Sequence, residues 1–406
     1  MTAASAQGLP ERSFRSDWAA LGGVGRDART GGYRRFAWTR EDATLREWFT
    51  GRAEGLGMEV VRDRCGNLWA WSGDPDTAAA AGDAPLVLGS HLDSVPDGGA
   101  FDGPLGVVSA FAALELLRAA GRAPHRPLGI ACFADEEGAR FGVACAGSRL
   151  LTGVLDADRG RALTDADGVS VAEAMVGAGL DPADVGRDEE TLRRVGTFVE
   201  LHVEQGRALI DLDRPVGVAS AIWPHGRWRL DLHGHADHAG TTRLEDRDDP
   251  MLRLAAAVTT ARESARRHGT VATIGKVNVL PNGVNAIPSQ VTAWLDARGT
   301  DPDAVRRVVT EVGSAVGSEP IQESWTPSTD FDVPLRDRLA DLLEDAPVLA
   351  TGAGHDAGIL SAAGVRSAML FVRNPTGVSH SPAEHAEDAD CVAGIEALAR
   401  VIEELA

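Results

Sequence analysis

Residues 85–93 read P-L-V-L-G-S-H-L-D and residues 127–138 read P-L-G-I-A-C-F-A-D-E-E-G. In each, an apolar run of strand length ends abruptly in imidazole or carboxylate side chains. A short apolar run bounded by proline and a polar turn predicts a buried strand. Between the two, L-G-V-V-S-A-F-A-A-L-E-L-L-R-A-A-G (105–121) predicts a helix closed by Gly121. Strand, helix and strand in that order predict an α/β domain, and ligands of an open α/β sheet bind beyond the carboxyl ends of its strands. His91, Asp93, Glu136 and Glu137 all fall at that end.

The alternation extends toward the N terminus, where an amphipathic stretch around 39–54 precedes the strand-like segments M-E-V-V (58–61) and N-L-W-A-W (67–71). Residues 156–195, rich in Asp, Gly and Ala, predict short helices in a surface excursion without chemistry. A second block begins near Pro215. It holds strand-like R-W-R-L-D-L-H-G (227–234), a long helix over 250–268, strand-like T-V-A-T-I-G-K-V-N-V-L (270–280) and S-Q-V-T-A-W-L-D-A-R (289–298), and a helix over about 303–316. This order predicts a smaller α/β sandwich, residues 215–328, inserted into a main domain of residues 1–214 and 329–406. The main domain is expected to be α/β, with a mixed sheet and helices on both faces.

At 406 residues, with 44% hydrophobic and 25% charged residues, the chain has room for two globular domains. A net charge of −20 disfavours nucleic acid or an anionic membrane as partner. Lys276 is the only lysine, so arginine carries nearly all positive charge. Cys65, Cys132, Cys145 and Cys391 form no C-x-x-C pair and read as buried, reduced thiols. With no basic-then-apolar leader among the first residues and no apolar run of about 18 residues, the expected location is the cytoplasm.

Five residues able to bind metal lie in short polar motifs: His91, Asp102 in G-A-F-D-G, Glu137, His202 in L-H-V-E-Q-G and His380 in V-S-H-S-P-A-E. Nitrogen and oxygen donors suit zinc or manganese, and a shared carboxylate such as Asp102 can hold two cations. Glu136, beside Glu137, is placed to accept a proton from metal-activated water. Asp93, two residues past His91, can accept the ring N–H that the metal leaves unused. Taken singly, each motif has an ordinary explanation: a satisfied histidine, a helix cap, a solvated acidic turn, a polar patch across strands. Taken together they predict a two-metal hydrolase. His355 and Asp356, in G-A-G-H-D-A-G, could also line the pocket.

The motifs G-S-H-L-D-S-V-P-D-G-G-A-F-D-G-P-L-G-V, D-E-E-G-A-R-F, L-H-V-E-Q-G and V-S-H-S-P-A-E resemble those of the M20 metallopeptidase and amidohydrolase family. The closest resemblance is to its branch of N-carbamoyl-L-amino acid hydrolases, ureidopropionases and allantoate amidohydrolases. The resemblance implies that His91 and His202 hold one divalent ion, Glu137 and His380 another, that Asp102 bridges them and that Glu136 is the general base. It implies zinc or manganese, with cobalt or nickel also compatible. It further implies that the inserted sandwich is a lid through which the chain forms a homodimer. His238, in A-D-H-A-G-T-T, would then reach a neighbouring subunit's active site, and Arg298 and Asn285 would meet a substrate carboxylate, with Gln205 nearby. One departure stands out: proline and methionine usually follow the paired threonines, and here Arg243 and Leu244 do. Extra charge there would favour a more acidic substrate or simply face water.

The activity expected is hydrolysis of a linear amide or ureido C–N bond in a small carboxylate, allantoate or an N-carbamoyl-L-amino acid, with release of ammonia and carbon dioxide. The alternatives are an N-acyl or N-formyl-L-amino acid deacylase or an aminopeptidase of the same family, and a metal-containing ligand-binding protein. The intact Glu136 argues against the last.

Overall fold

The computed structural model describes residues 8–406. Six strands precede the insertion: β1 (Glu59–Arg62), β2 (Leu68–Ser72), β3 (Leu86–His91), β4 (Leu128–Phe133), β5 (Thr197–Val203) and β6 (Val216–Ile222). Within the insertion or at its edges lie β7 (His225–His233), β8 (Asp237–His238), β9 (Val271–Leu280), β10 (Ala286–Ile287), β11 (Gln290–Arg298) and β12 (Ile321–Thr326). The chain continues through β13 (Thr329–Asp330), β14 (Val348–Thr351) and β15 (Arg366–Val372). It divides into two compact units, one ending at Ser220 and resuming over Asp330–Ala406, the other Ala221–Thr329.

The first unit is built on a nine-stranded mixed sheet in the order β1-β2-β4-β3-β5-β15-β6-β13, with β14 paired to β6. Its centre is parallel: β4, β3, β5 and β15 run the same way, while β2 and β6 flank them antiparallel. Every residue of β3, β4 and β5 is buried, which is why β3 and β4 read as apolar runs up to their polar ends. On β5 the two faces differ. Val199, Leu201 and Val203 join the main core, whereas Glu200 and His202 turn toward the segment around His355 and Ala357.

The core centres on the helix Pro104–Ala119, against which the helices Leu9–Leu21 and Asp388–Leu405 pack. Twelve of its residues are buried, as its nearly continuous apolar sequence requires. Pro104 opens it, and Gly121, with φ 74°, follows its end as anticipated. Gly106 lets it come close to the sheet: a Cβ there would lie 2.2 Å from the Leu201 carbonyl oxygen on β5 and 2.7 Å from the Ser90 Cβ on β3.

The second unit is a four-stranded antiparallel sheet, β12-β7-β11-β9, covered by the helices Pro250–His268 and Pro302–Val316. Both helices carry an aspartate cap, a proline in the first turn and a left-handed glycine after the last, so their limits match those expected. Two features go beyond the expected elements. β12 adds a fourth strand at the edge, where I-Q-E-S-W-T is mostly exposed and shows no apolar alternation. β8 and β10 form a separate two-stranded ribbon.

The tight approach at Gly106 gives a test of this packing. Overfilling a closed core costs about 1–3 kcal/mol, so Gly106→Val should lower the thermal unfolding midpoint followed by calorimetry. A variant with an unchanged midpoint would mean that the helix does not lie this close to β5.

Candidate metal centre

The site lies at the carboxyl ends of the four parallel strands. His91 is the last residue of β3, Glu136 and Glu137 follow β4, His202 lies near the end of β5, and His380 is on the loop after β15. Asp102 sits in the turn just before the helix Pro104–Ala119. Gly103, with φ 86°, is required beside it, because a Cβ would meet the His91 ring at 2.4 Å.

Asp102 is buried and divides its two oxygens. Oδ1 lies 3.5 Å from His91 Nε2 and 3.2 Å from His202 Nε2. Oδ2 lies 3.5 Å from His380 Nε2, which is itself 3.5 Å from Glu137 Oε2. Two clusters able to hold a cation result, His91/Asp102/His202 and Asp102/Glu137/His380, with Asp102 in both. Ligands about 2.0–2.2 Å from one cation stand roughly 3–3.5 Å from each other, which these separations match. Three buried atoms, His91 Nε2, His202 Nε2 and Glu137 Oε1, have no hydrogen-bond partner. Buried polar atoms are seldom left unpaired, so the donor set and its orphans fit a pair of divalent ions.

The ring nitrogens facing away from the clusters are held by carbonyls. His202 Nδ1 is 2.9 Å from the Val203 oxygen and His91 Nδ1 is 3.2 Å from the Asp93 oxygen. A carbonyl only accepts, so each Nδ1 carries a proton, and each Nε2 is the atom that faces the cluster and would bind a cation once it gives up any proton of its own. The Asp93 carboxylate stands 3.4 Å from the same His91 Nδ1, and it also accepts the backbone N–H groups of Glu136 (3.2 Å) and Glu137 (3.0 Å), tying the acidic turn to the segment just after β3. The turn is tight: Asp135 has φ 53° and Gly138 φ 60°.

Glu136 is buried, with Oε2 3.7 Å from His91 Nε2. The Cys145 thiol donates to its other oxygen at 3.2 Å. Burial, reinforced by the nearby acids Asp356 and Glu137, holds the Glu136 carboxyl well above its usual range. Burial and Asp102 push Glu137 up to about 8. For His202 burial opposes the charge, yet Asp102 prevails and raises the imidazole to about 9. His355 is buried with its ring 4.5 Å from that of His202, and burial together with His202 keeps it well below its ordinary value. Asp356 accepts the Ser148 hydroxyl at 2.5 Å. Gln205 does not present both amide atoms to solvent: its Nε2 donates to Asp102 Oδ2 at 2.8 Å.

His238, Asn285 and Arg298 belong to the second unit. The β8–β10 ribbon pairs His238 with Ala286, and the Asn285 carbonyl accepts the Ala239 N–H at 2.9 Å, so A-D-H-A-G and P-N-G-V-N-A-I-P meet in one exposed ribbon. His238 Nδ1 accepts the Gly240 N–H at 3.0 Å, which leaves a neutral ring with its proton on Nε2. Arg298 is elsewhere. It ends β11, whose first residue, Gln290, lies next to the strand ends from which the ribbon springs. A strand of this length spans roughly 25–30 Å, so a single lid does not offer Asn285 and Arg298 to one carboxylate. Arg298 also forms a two-point pair with Asp296, at 2.7 and 2.9 Å. Arg243, the departure in the lid loop, is paired with Asp246 at 2.8 Å and Glu245 at 3.4 Å, so its charge is already answered locally.

Parallel strands ending in two imidazole–carboxylate clusters that share an aspartate, with a further acid alongside, define a metal-dependent hydrolase. The chain belongs to peptidase family M20/M25/M40, whose model matches residues 87–404. It is 37% identical over 404 residues to an N-carbamoyl-L-amino acid amidohydrolase of Geobacillus stearothermophilus, covering 95% of this chain and 96% of the relative. It is 30% identical to an allantoate amidohydrolase of Escherichia coli (strain K12), covering 93% of each. Among solved structures, an amidase of the hydantoinase/carbamoylase family from Burkholderia vietnamiensis superposes with a TM-score of 0.84 at 28% identity, covering 98% of this chain and 97% of that one. The protein is thus an amidohydrolase of this family. Among the described residues, no helix is long and apolar enough to cross a membrane.

The protonation pattern yields a prediction. In protein stripped with a chelator, Glu137 (about 8) and His202 (about 9) hold protons near pH 7 that cation entry must displace. Zinc or manganese loading should release protons, and apparent affinity should climb as pH rises through 8 toward 9. Calorimetric heats that are independent of buffer ionisation, with affinity flat over that range, would contradict the assignment.

Proposed function

We propose that the protein hydrolyses the carbamoyl C–N bond of an N-carbamoyl-L-amino acid at a pair of zinc or manganese ions. The observation that carries this reading is Asp102, with one oxygen toward each cluster and Glu136 beside them. His91 and His202 would hold one ion, Glu137 and His380 the other, and Asp102 both. When bound, the ions supply Lewis acidity and bring the pKa of water toward about 7. Glu136 takes the proton from the attacking water and hands it to the departing nitrogen, a role suited to an acid that burial makes a stronger base. Cys145 and the clamped backbone at Asp93 keep that carboxylate in place.

The substrate carboxylate pairs with Arg298, whose planar fork suits a two-point contact and which must share itself with Asp296. His238, its proton on the exposed Nε2, donates to the carbonyl oxygen as charge gathers there. Because His238 and Asn285 lie at the opposite end of the lid from Arg298, the complete site is composite: Arg298 comes from one protomer, with the partner subunit's His238 and the partner subunit's Asn285 completing it. This reading has the protein act as a homodimer joined through the inserted unit. The four unpaired, buried cysteines fit a reducing cytoplasm.

The products are the free amino acid, ammonia and carbon dioxide. The relative that acts on N-carbamoyl-L-amino acids is more similar than the one that acts on allantoate. Allantoate is the second reading, because it joins a carboxylate to a ureido group in the same way, and hydrolysis would yield ureidoglycine, ammonia and carbon dioxide.

Manganese- or zinc-loaded enzyme should release ammonia from N-carbamoyl-L-amino acids faster than from allantoate, and not from N-formyl-L-glutamate. Glu136→Gln should lower kcat by at least about 100-fold with metal content unchanged. Full activity in that variant would refute the proton-transfer role, and turnover confined to N-acyl or peptide substrates would move the assignment to a deacylase or aminopeptidase.

A further inference from the structure

Glu384 lies four residues beyond His380, is 6% exposed, and is assigned no part in the chemistry above. Its Oε2 accepts the backbone N–H groups of Phe101 (2.8 Å) and Asp102 (3.0 Å), in a segment more than 280 residues earlier in the chain. Its Oε1 accepts the Ser379 hydroxyl at 3.0 Å. Both oxygens are therefore engaged, and Glu384 belongs to neither ligand cluster. The room it occupies is provided by Gly99, where a Cβ would stand 2.2 Å from Glu384 Oε2 and 2.4 Å from its Cβ.

We propose that Glu384 is a positioning residue that holds the second cation site together by tying the Asp102 turn to the His380 loop. The inference rests on the two-cation reading above and extends it. The two sites are unequal in construction. His91 and His202 are fully buried and sit on adjacent strands of the sheet, so the first site is set by β3 and β5. His380 has a side chain 51% exposed and a left-handed backbone (φ 55°) on a loop. Asn374 secures the start of that loop, accepting the N–H groups of Thr376 and Gly377 and donating to the Val378 carbonyl. Its far end is secured by Glu384. Ser379 completes the tie, since its Oγ lies 2.9 Å from Asp102 Oδ2 and 3.0 Å from Glu384 Oε1. One hydroxyl proton serves one acceptor at a time, and a cation at Asp102 Oδ2 directs it to Glu384. Loss of the tie should free His380 and loosen Asp102, so the second site should suffer most, while the first, which shares Asp102 but keeps the strand-borne His91 and His202, should suffer less.

Titration of chelator-treated protein with manganese alone, followed by calorimetry, separates these effects without any substrate. The wild type should bind two equivalents. Glu384→Ala should weaken one by about 10–100-fold, the usual cost of removing a group that orients a ligand, and the other, which rests mainly on His91 and His202, markedly less. Gly99→Ala, which crowds the carboxylate without deleting it, should show the same split and covers the case in which Glu384→Ala fails to fold. Glu384→Gln should restore much of the second affinity, because an amide oxygen can accept both backbone N–H groups while its NH2 faces Ser379. Two equivalents at wild-type affinity in both disruptive variants, equal weakening of both ions, or no rescue by glutamine would each overturn the proposal. A wild type that binds fewer than two ions would overturn the two-cation reading itself.

Discussion

The structure depends on a concentration of buried negative charge around Asp102. Asp93, Asp102, Asp135, Glu136, Glu200 and Asp356 are all buried at the carboxyl end of one sheet, with His91 and His202 among them. At an effective dielectric near 20, two like charges about 4 Å apart repel by roughly 4 kcal/mol, and a few hydrogen bonds do not offset several such pairs. Protons or cations must. The clusters that share Asp102 place their unpaired donor atoms where divalent ions answer the repulsion, so the feature that strains the fold also equips it for catalysis. Backbone and side chain cooperate in this: Asp93 turns the amides of Glu136 and Glu137 inward, and glycines at 99, 103 and 106 admit contacts that a Cβ would block.

Rigidity is distributed unevenly around the cluster. The parallel strands bring His91 and His202 into place as part of the sheet, and the apolar helix Pro104–Ala119 fixes the turn that carries Asp102. His380 arrives on a loop organised by side-chain hydrogen bonds. The inserted unit has a polarity of its own, with the His238 ribbon toward one end of its sheet and Arg298 at the other. That separation keeps Arg298 and the ribbon residues of one lid apart, because no rotamer of Arg298 spans the length of a nine-residue strand.

Much of the design is visible in the primary structure wherever a local rule governs it. The central strands β3 and β4 announce themselves because burial on both faces demands nearly continuous apolar runs. The helix Pro250–His268 is bounded by Asp249, Pro250 and Gly269, each acting within one turn of its own position. The candidate metal ligands stand out because each lies near the end of a strand, on a loop that follows one, or in a glycine-rich turn. Long-range pairings leave no such trace. β12 is an exposed edge strand paired through a bulge, and nothing in I-Q-E-S-W-T distinguishes it from a loop. The thiol of Cys145 against Glu136, the Asp93 carboxylate on two amides of another strand's turn, and the His355 ring against His202 all join residues distant in sequence or turned by an unusual backbone angle. Their neighbours in the chain do not reveal them.

If one aspartate joins two cations, anomalous diffraction from manganese-loaded crystals will show it. Two peaks are expected on either side of the Asp102 carboxylate, one within bonding distance of His91 and His202 and one of Glu137 and His380. A single peak, or peaks that leave Asp102 uncoordinated, would contradict the account.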